Sequence, residues 1–189
     1  MSNRPLRALI LPGLAASDRS TLALRSSLEW QGVRAHRWNL GTNRPTPELS
    51  DALRRRFFDL VERAGRPIAL VGWSLGGLYA HRLAAFSPNN VRCVVTLGSP
   101  LAHDGPAPRL QVPTTSVYSR RDRVVPWHSS LVDDGAPRHE NIEVRSTHFT
   151  LGFDPAVMAL IGDRVRRDPE RWQPFRPPML MGPAFPRRH

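Results

Sequence analysis

Short apolar runs alternate with longer stretches whose apolar positions recur at helical spacing, a pattern that predicts a parallel sheet covered by helices on both faces. Strands are predicted at Leu6–Leu11, Val33–Trp38, Ile68–Gly72, Val91–Leu97, Thr114–Tyr118 and Ile142–Arg145. Helices fill most of the gaps. Ser17 is read as the cap of a helix reaching Gln31, and Thr46-Pro47 as the start of one ending before Gly65. A third helix runs from Leu75 to Phe86 and stops before Pro88, and Asp154-Pro155 opens a fourth that ends near Arg167. The expected fold class is thus α/β: a three-layer α/β/α sandwich on an approximately six-stranded, mainly parallel sheet.

Length fits this plan, since 189 residues correspond to one compact core. Two regions are expected, a catalytic domain over 1–167 and a Pro/Arg-rich tail over 168–189. In the tail six prolines between Pro169 and Pro186 forbid a continuous helix, so it is expected to lie extended over the surface or to be disordered. The single Cys93 can form no internal disulfide and offers no metal-ligand spacing. No metal and no cofactor are expected.

Composition changes the picture in one respect. All 27 basic residues are arginine, set against 16 acidic ones, for a net charge of +11. Absence of lysine is what a G·C-rich coding bias produces, whereas an excess of positive charge attracts nucleic acid or anionic surfaces. Seven arginines and two acids from Arg164 onward put +5 of that excess at the C-terminus. The remainder is scattered, apart from Arg54-Arg55-Arg56, and no nucleic-acid motif accompanies it, so no nucleic-acid partner is expected. The tail's arginines, with Trp172 and Phe175, suit weak contact with an anionic membrane surface. Pro12-Gly13 interrupts the apolar stretch behind Arg4 and Arg7 too early for a signal peptide, which gives a cytoplasmic expectation.

Candidate chemistry begins at Gly72-Trp73-Ser74-Leu75-Gly76, a G-x-S-x-G sequence directly after an apolar strand and directly before a helix. A serine hydroxyl is a weak nucleophile, and a sharp strand-to-helix turn lifts it clear of the sheet to meet a base. Asp122, after the strand ending at Tyr118, and His148, after the last strand, follow in the order acid then base. All three are expected at the carboxyl ends of strands, where open parallel sheets place their sites. Asp104 is a second candidate for the acid. His81 is expected to pack rather than react, His36, His139 and His189 to lie at the surface, and His103 and His128 to occupy loops. Oxyanion donors are assigned to the backbone N–H groups of Leu75 and of Leu14, the latter in the turn after the first strand. Trp73, Leu101, Trp127 and Phe149 are candidate substrate-binding residues, with Leu14 and Leu75 beside them.

With these residues the chain resembles the small lipases and esterases of the α/β-hydrolase superfamily from Leu6 to Arg167. Thr96-Leu97-Gly98-Ser99-Pro100 and Val124-Val125-Pro126-Trp127 add to the likeness. Two departures stand out. Pro12-Gly13 replaces the family's usual His-Gly, and the strand at Leu6–Leu11 already leads into the oxyanion loop, so the family's first two strands have no expected counterpart. The resemblance implies a serine carboxylic ester hydrolase acting through an acyl-enzyme on a small acyl ester. An acyltransferase using the same three residues is the alternative. About fifteen residues between Gly98 and the next strand leave no room for a helical lid, so an open site is expected. Oligomeric state, acyl length and leaving alcohol are not encoded in these motifs.

Overall fold

The computed structural model describes residues 5–102, 105–133 and 135–186. Candidates His103, Asp104 and His189 lie outside the described residues, as do Arg187 and Arg188. Six strands, β1 (Leu6–Leu11), β2 (Val33–His36), β3 (Ile68–Trp73), β4 (Val91–Leu97), β5 (Thr114–Tyr118) and β6 (His139–Glu143), form one sheet in the order β2-β1-β3-β4-β5-β6. Every pairing is parallel. β1, β3 and β4 are covered on both faces and read as nearly unbroken apolar runs, whereas β2 at the sheet edge alternates.

Alternation reappears in three dimensions, where neighbouring residues are sorted into two cores. Ala8, Ile10, Ala69, Val71, Cys93 and Val95 face helices α1 (Leu22–Trp30) and α4 (Pro155–Arg166). Leu9, Leu11, Ile68, Leu70 and Val94 face α2 (Leu49–Ala64) and α3 (Leu75–Phe86). Chain order reverses between β2 and β3, on either side of β1, and a crevice opens at the carboxyl ends where connections diverge in this way. Ser74, immediately after β3, stands at that crevice.

Two helix starts differ from expectation. α1 begins after Thr21 and α2 after Glu48, neither with a side-chain cap, because Ser17 and Thr46 belong to the turns that precede them. Asp154 does cap α4, its Oδ1 accepting from the Ala156 N–H at 2.8 Å, a contact worth about 1 kcal/mol. The last strand starts three residues earlier than the apolar pattern suggests, at His139, and ends at Glu143. Among the described residues the β4–β5 connection carries no helix, and no helix is long and apolar enough to cross a membrane.

Beyond α4 the chain forms an extended arm with two short 3-10 turns, Pro169–Arg171 and Met179–Ala184. It is anchored at both ends of β6. Near the amino end, the buried Glu140 carboxylate accepts the Phe175 N–H at 2.8 Å and pairs with Arg164 at 2.9 Å, while Arg164 also donates to the Gln173 carbonyl at 2.7 Å. Near the carboxyl end the Arg145 N–H donates to the Ala184 carbonyl at 3.3 Å. Along the arm Phe185 is buried against the α1/α4 core, and Phe175, Met181 and Ala184 pack beside it.

Candidate active site

Ser74 occupies a backbone conformation, φ 54° and ψ −125°, that side-chain-bearing residues rarely adopt. Its neighbours enforce it. The Ser74 N–H donates to the Leu97 carbonyl of β4 at 2.8 Å, and the Ser74 carbonyl accepts the Gly77 N–H at 2.9 Å. Gly76 presses its Cα against the Leu11 carbonyl at the end of β1, an approach that any Cβ would block, so this glycine of the motif is a packing requirement.

The turn after β1 lies against the nucleophile. A Cβ built on Gly13 would stand 3.2 Å from Ser74 Cβ and 3.8 Å from its Oγ. Among the described residues the N–H groups of Leu14 and Leu75 donate to no protein acceptor, the second because it opens α3. Asn43 braces this turn: its side chain donates to the Pro12 carbonyl at 2.8 Å, and its backbone bonds Ala15 and Ala16 at 2.8 and 2.7 Å. Ala15 has positive φ, 56°, within this clamped segment.

Asp122 and His148 meet as the sequence order suggests. Asp122 Oδ2 lies 2.7 Å from His148 Nδ1, and both side chains are almost wholly buried. The other carboxylate oxygen accepts the Val124 and Val125 N–H groups at 2.8 and 2.9 Å, which fixes the plane of the carboxylate. The contact is made through Nδ1, so Nε2 is the imidazole nitrogen that the carboxylate does not engage. Gly98 makes room for the pair. A Cβ there would fall 2.8 Å from Asp122 Oδ2 and 3.3 Å from His148 Nδ1, at a φ of 50°.

Trp73, expected at the substrate, is instead 8% exposed. Its Nε1 donates to the His148 carbonyl at 3.1 Å, and its ring meets the edge of Phe153 at 5.9 Å, so it is a post beneath the loop that carries His148. Leu101 is likewise buried, at 4%. Trp127 stacks on Tyr118 at 5.7 Å under the Arg120 guanidinium. The apolar side chains that do stand in solvent on these loops are Leu14, Val124, Phe149 and Phe153. Ser74 Oγ makes no hydrogen bond among the described residues, which is common before substrate tightens such a site.

The remaining histidines separate clearly. His81 is buried on α3, and burial together with nearby His139 lowers its pKa to about 4. His36 is half-buried, and burial, then Arg7, Arg56, Arg34 and Arg63, lower its pKa to about 4. His139, expected at the surface, is buried on β6 with Nδ1 3.1 Å from the Asp133 carbonyl and Nε2 3.0 Å from the Leu110 carbonyl. His128 stays exposed in the Trp127–Ser130 turn. Burial pushes the Cys93 thiol up to about 12, far from a nucleophile's range. Among the described residues no group of three or more His, Cys, Asp or Glu side chains is placed to hold a metal ion.

Three residues of this edge escaped the sequence: Asn43, Gly98 and Phe153. Gly98 lies within the Thr96–Pro100 segment that carried part of the resemblance, and Phe153 directly precedes the Asp154-Pro155 helix start. Asn43 had no local signal.

A model of the alpha/beta hydrolase family matches residues 8–188. No curated protein sequence matches the chain. Among solved structures, Aspergillus fumigatus lipase B is similar with a TM-score of 0.71 at 17% identity, over 90% of this chain and 56% of that one. The chain therefore spans little more than half that lipase's length. The pyrethroid hydrolase PytH gives a TM-score of 0.69 at 15% identity, over 89% of this chain and 100% of that one. Mouse alpha/beta hydrolase domain-containing protein 10 gives 0.64 at 15% identity, over 86% and 88%. Identities at this level speak to the shared fold. Strand order, the nucleophile turn and a family match that runs almost end to end agree that the chain belongs to the alpha/beta hydrolase family.

Proposed function

We propose that this hydrolase is a serine carboxylic ester hydrolase working through an acyl-enzyme. The observation that carries the reading is the 2.7 Å contact between Asp122 and His148, on the same sheet edge as a serine held at positive φ. Ser74 Oγ attacks the ester carbonyl carbon while His148 Nε2 accepts the hydroxyl proton. The carbonyl oxygen becomes an oxyanion, for which the N–H groups of Leu14 and Leu75 are the unengaged donors. Collapse breaks the bond to the alcohol, which leaves with the proton from His148. Water then attacks the acyl-enzyme by the same steps in reverse order. Asp122 orients the imidazole and stabilises its cation.

Exposed Leu14, Phe149 and Phe153 favour an ester with apolar groups, and a β4–β5 connection without a helix among its described residues favours an open, lidless approach. A fluorophosphonate probe is expected to label the wild type and not Ser74→Ala. Hydrolysis of nitrophenyl butyrate is expected to fall about a million-fold in that variant, to the level of any background reaction. Equal turnover by Ser74→Ala and wild type overturns the reading.

A further inference from the structure

A groove of 1410 Å³, separate from Ser74 and His148, runs between β6 and the C-terminal arm. Leu131 and Ile142 line one wall, and Phe175 and Phe185 of the arm, with their ring centroids 5.3 Å apart, line the other. Its volume exceeds the few hundred cubic ångströms that a small organic ligand fills. The arm rises along β6 from Glu140 to Arg145, so the groove leads from the amino edge toward the catalytic edge of the sheet.

Charge on the lining is not symmetric. Arg120 and Arg145 both reach it, and Glu143 is the one acid among the lining residues. Glu143 is already engaged by Arg120 at 3.3 Å, and Arg120 also lies over the Trp127 ring at 4.5 Å. Arg145 is exposed, and its guanidinium forms no ion pair among the described residues. A groove that is apolar along Leu131, Ile142, Phe175 and Phe185 and carries at one end a guanidinium without an ion pair among the described residues matches a ligand with a hydrocarbon chain and an anionic head.

We propose that this groove binds an amphipathic carboxylate, with the chain between β6 and the arm and the head group on Arg145. Planar, two-pronged guanidinium groups favour carboxylates over neutral heads, which sets the polarity of binding. Sequence connects the groove to the catalytic pair: Arg120 precedes Asp122 by two residues and Arg145 precedes His148 by three. A bound carboxylate therefore touches both segments that hold the acid and the base without occupying the space before Ser74.

Calorimetry with dodecanoate on the Ser74→Ala protein tests this, with methyl NMR to locate the ligand. Expected are 1:1 binding, affinity about fifteenfold lower for decanoate because two methylenes are lost, and about tenfold lower for dodecanoate on Arg145→Gln. Methyl signals of Leu131 and Ile142 are expected to shift. Three results each overturn the proposal: no binding at millimolar dodecanoate, undiminished affinity in a folded Arg145→Gln, or shifts confined to Leu14, Leu75 and Leu151 at the catalytic edge. The second variant Leu131→Asp, on the opposite wall from the arm, is expected to weaken dodecanoate as well, and unchanged affinity there also counts against it.

Discussion

Two buried carboxylates each hold a nitrogen-bearing side chain, at opposite edges of one sheet. Asp122 meets His148 at 2.7 Å beyond the carboxyl ends of the strands, and Glu140 meets Arg164 at 2.9 Å near their amino ends. All four side chains are nearly solvent-free. Their partners separate them. Asp122 is saturated by its own loop and leaves one imidazole nitrogen to the crevice, whereas Glu140 collects Thr115, Arg164 and the Phe175 N–H from three distant segments. A histidine gains and loses its proton near neutral pH and an arginine does not. The proton transfer we propose is open to the first pair and closed to the second, which fastens the arm to the sheet.

This contrast is open to attack. Asp122→Asn is expected to lower kcat about 10,000-fold with nitrophenyl butyrate while thermal unfolding stays within a few degrees of wild type. A small loss of kcat with a large loss of stability reverses the assignment. Arg164→Met is expected to do the opposite. Leaving the Glu140 charge buried and unpaired costs about 3–5 kcal/mol, a fall of about 10 °C in Tm, with kcat of the remaining folded enzyme little changed. Adding Glu140→Leu to Arg164→Met is expected to recover most of that loss, and a double variant less stable than the single one refutes a simple ion clasp.

Asn43 bears on the same edge: it is buried and uncharged, and among the described residues it bonds the turn after β1 through Pro12, Ala15 and Ala16. Asn43→Ala is expected to lower kcat about tenfold with KM nearly constant, since a loosened turn misplaces a donor needed in the transition state. A rise in KM alone argues against that role. The smallest effect is expected from His81. Its folded pKa of about 4 lies below the ordinary 6.5, so the unfolded chain binds the extra proton first. Stability present above pH 6.5 is lost as pH falls from 6.5 toward 4. His81→Gln is expected to flatten that slope in denaturant titrations, and an unchanged slope moves the cause elsewhere.

Much of this was legible in the chain. Strands buried on both faces announce themselves as apolar runs, and β1 and β4 fall where those runs do, while β5 is buried despite its Thr-Thr-Ser start. The meeting of Asp122 and His148 was legible because both sit after strand ends, so topology converts distance along the chain into proximity. What was missed depends on partners far away. The start of β6 contains His139 and Glu140, polar residues that look exposed until the Leu110 carbonyl and Arg164 satisfy them. Ser17 and Thr46 have the right chemistry for caps, but helix starts are chosen by which face packs on the sheet. Trp73 looks like a substrate platform beside the nucleophile, and only the fold reveals that its indole N–H is bonded to the His148 carbonyl.

The arm has one more consequence, for encounters between molecules. β6 ends the sheet, and an edge strand is a template onto which another chain can add. Pro174, Pro177, Pro178, Pro183 and Pro186 lie in the segment that runs beside it, and a proline has no backbone N–H to donate. The arm thus places beside one edge of the sheet a segment that is itself poorly suited to join a β-ladder.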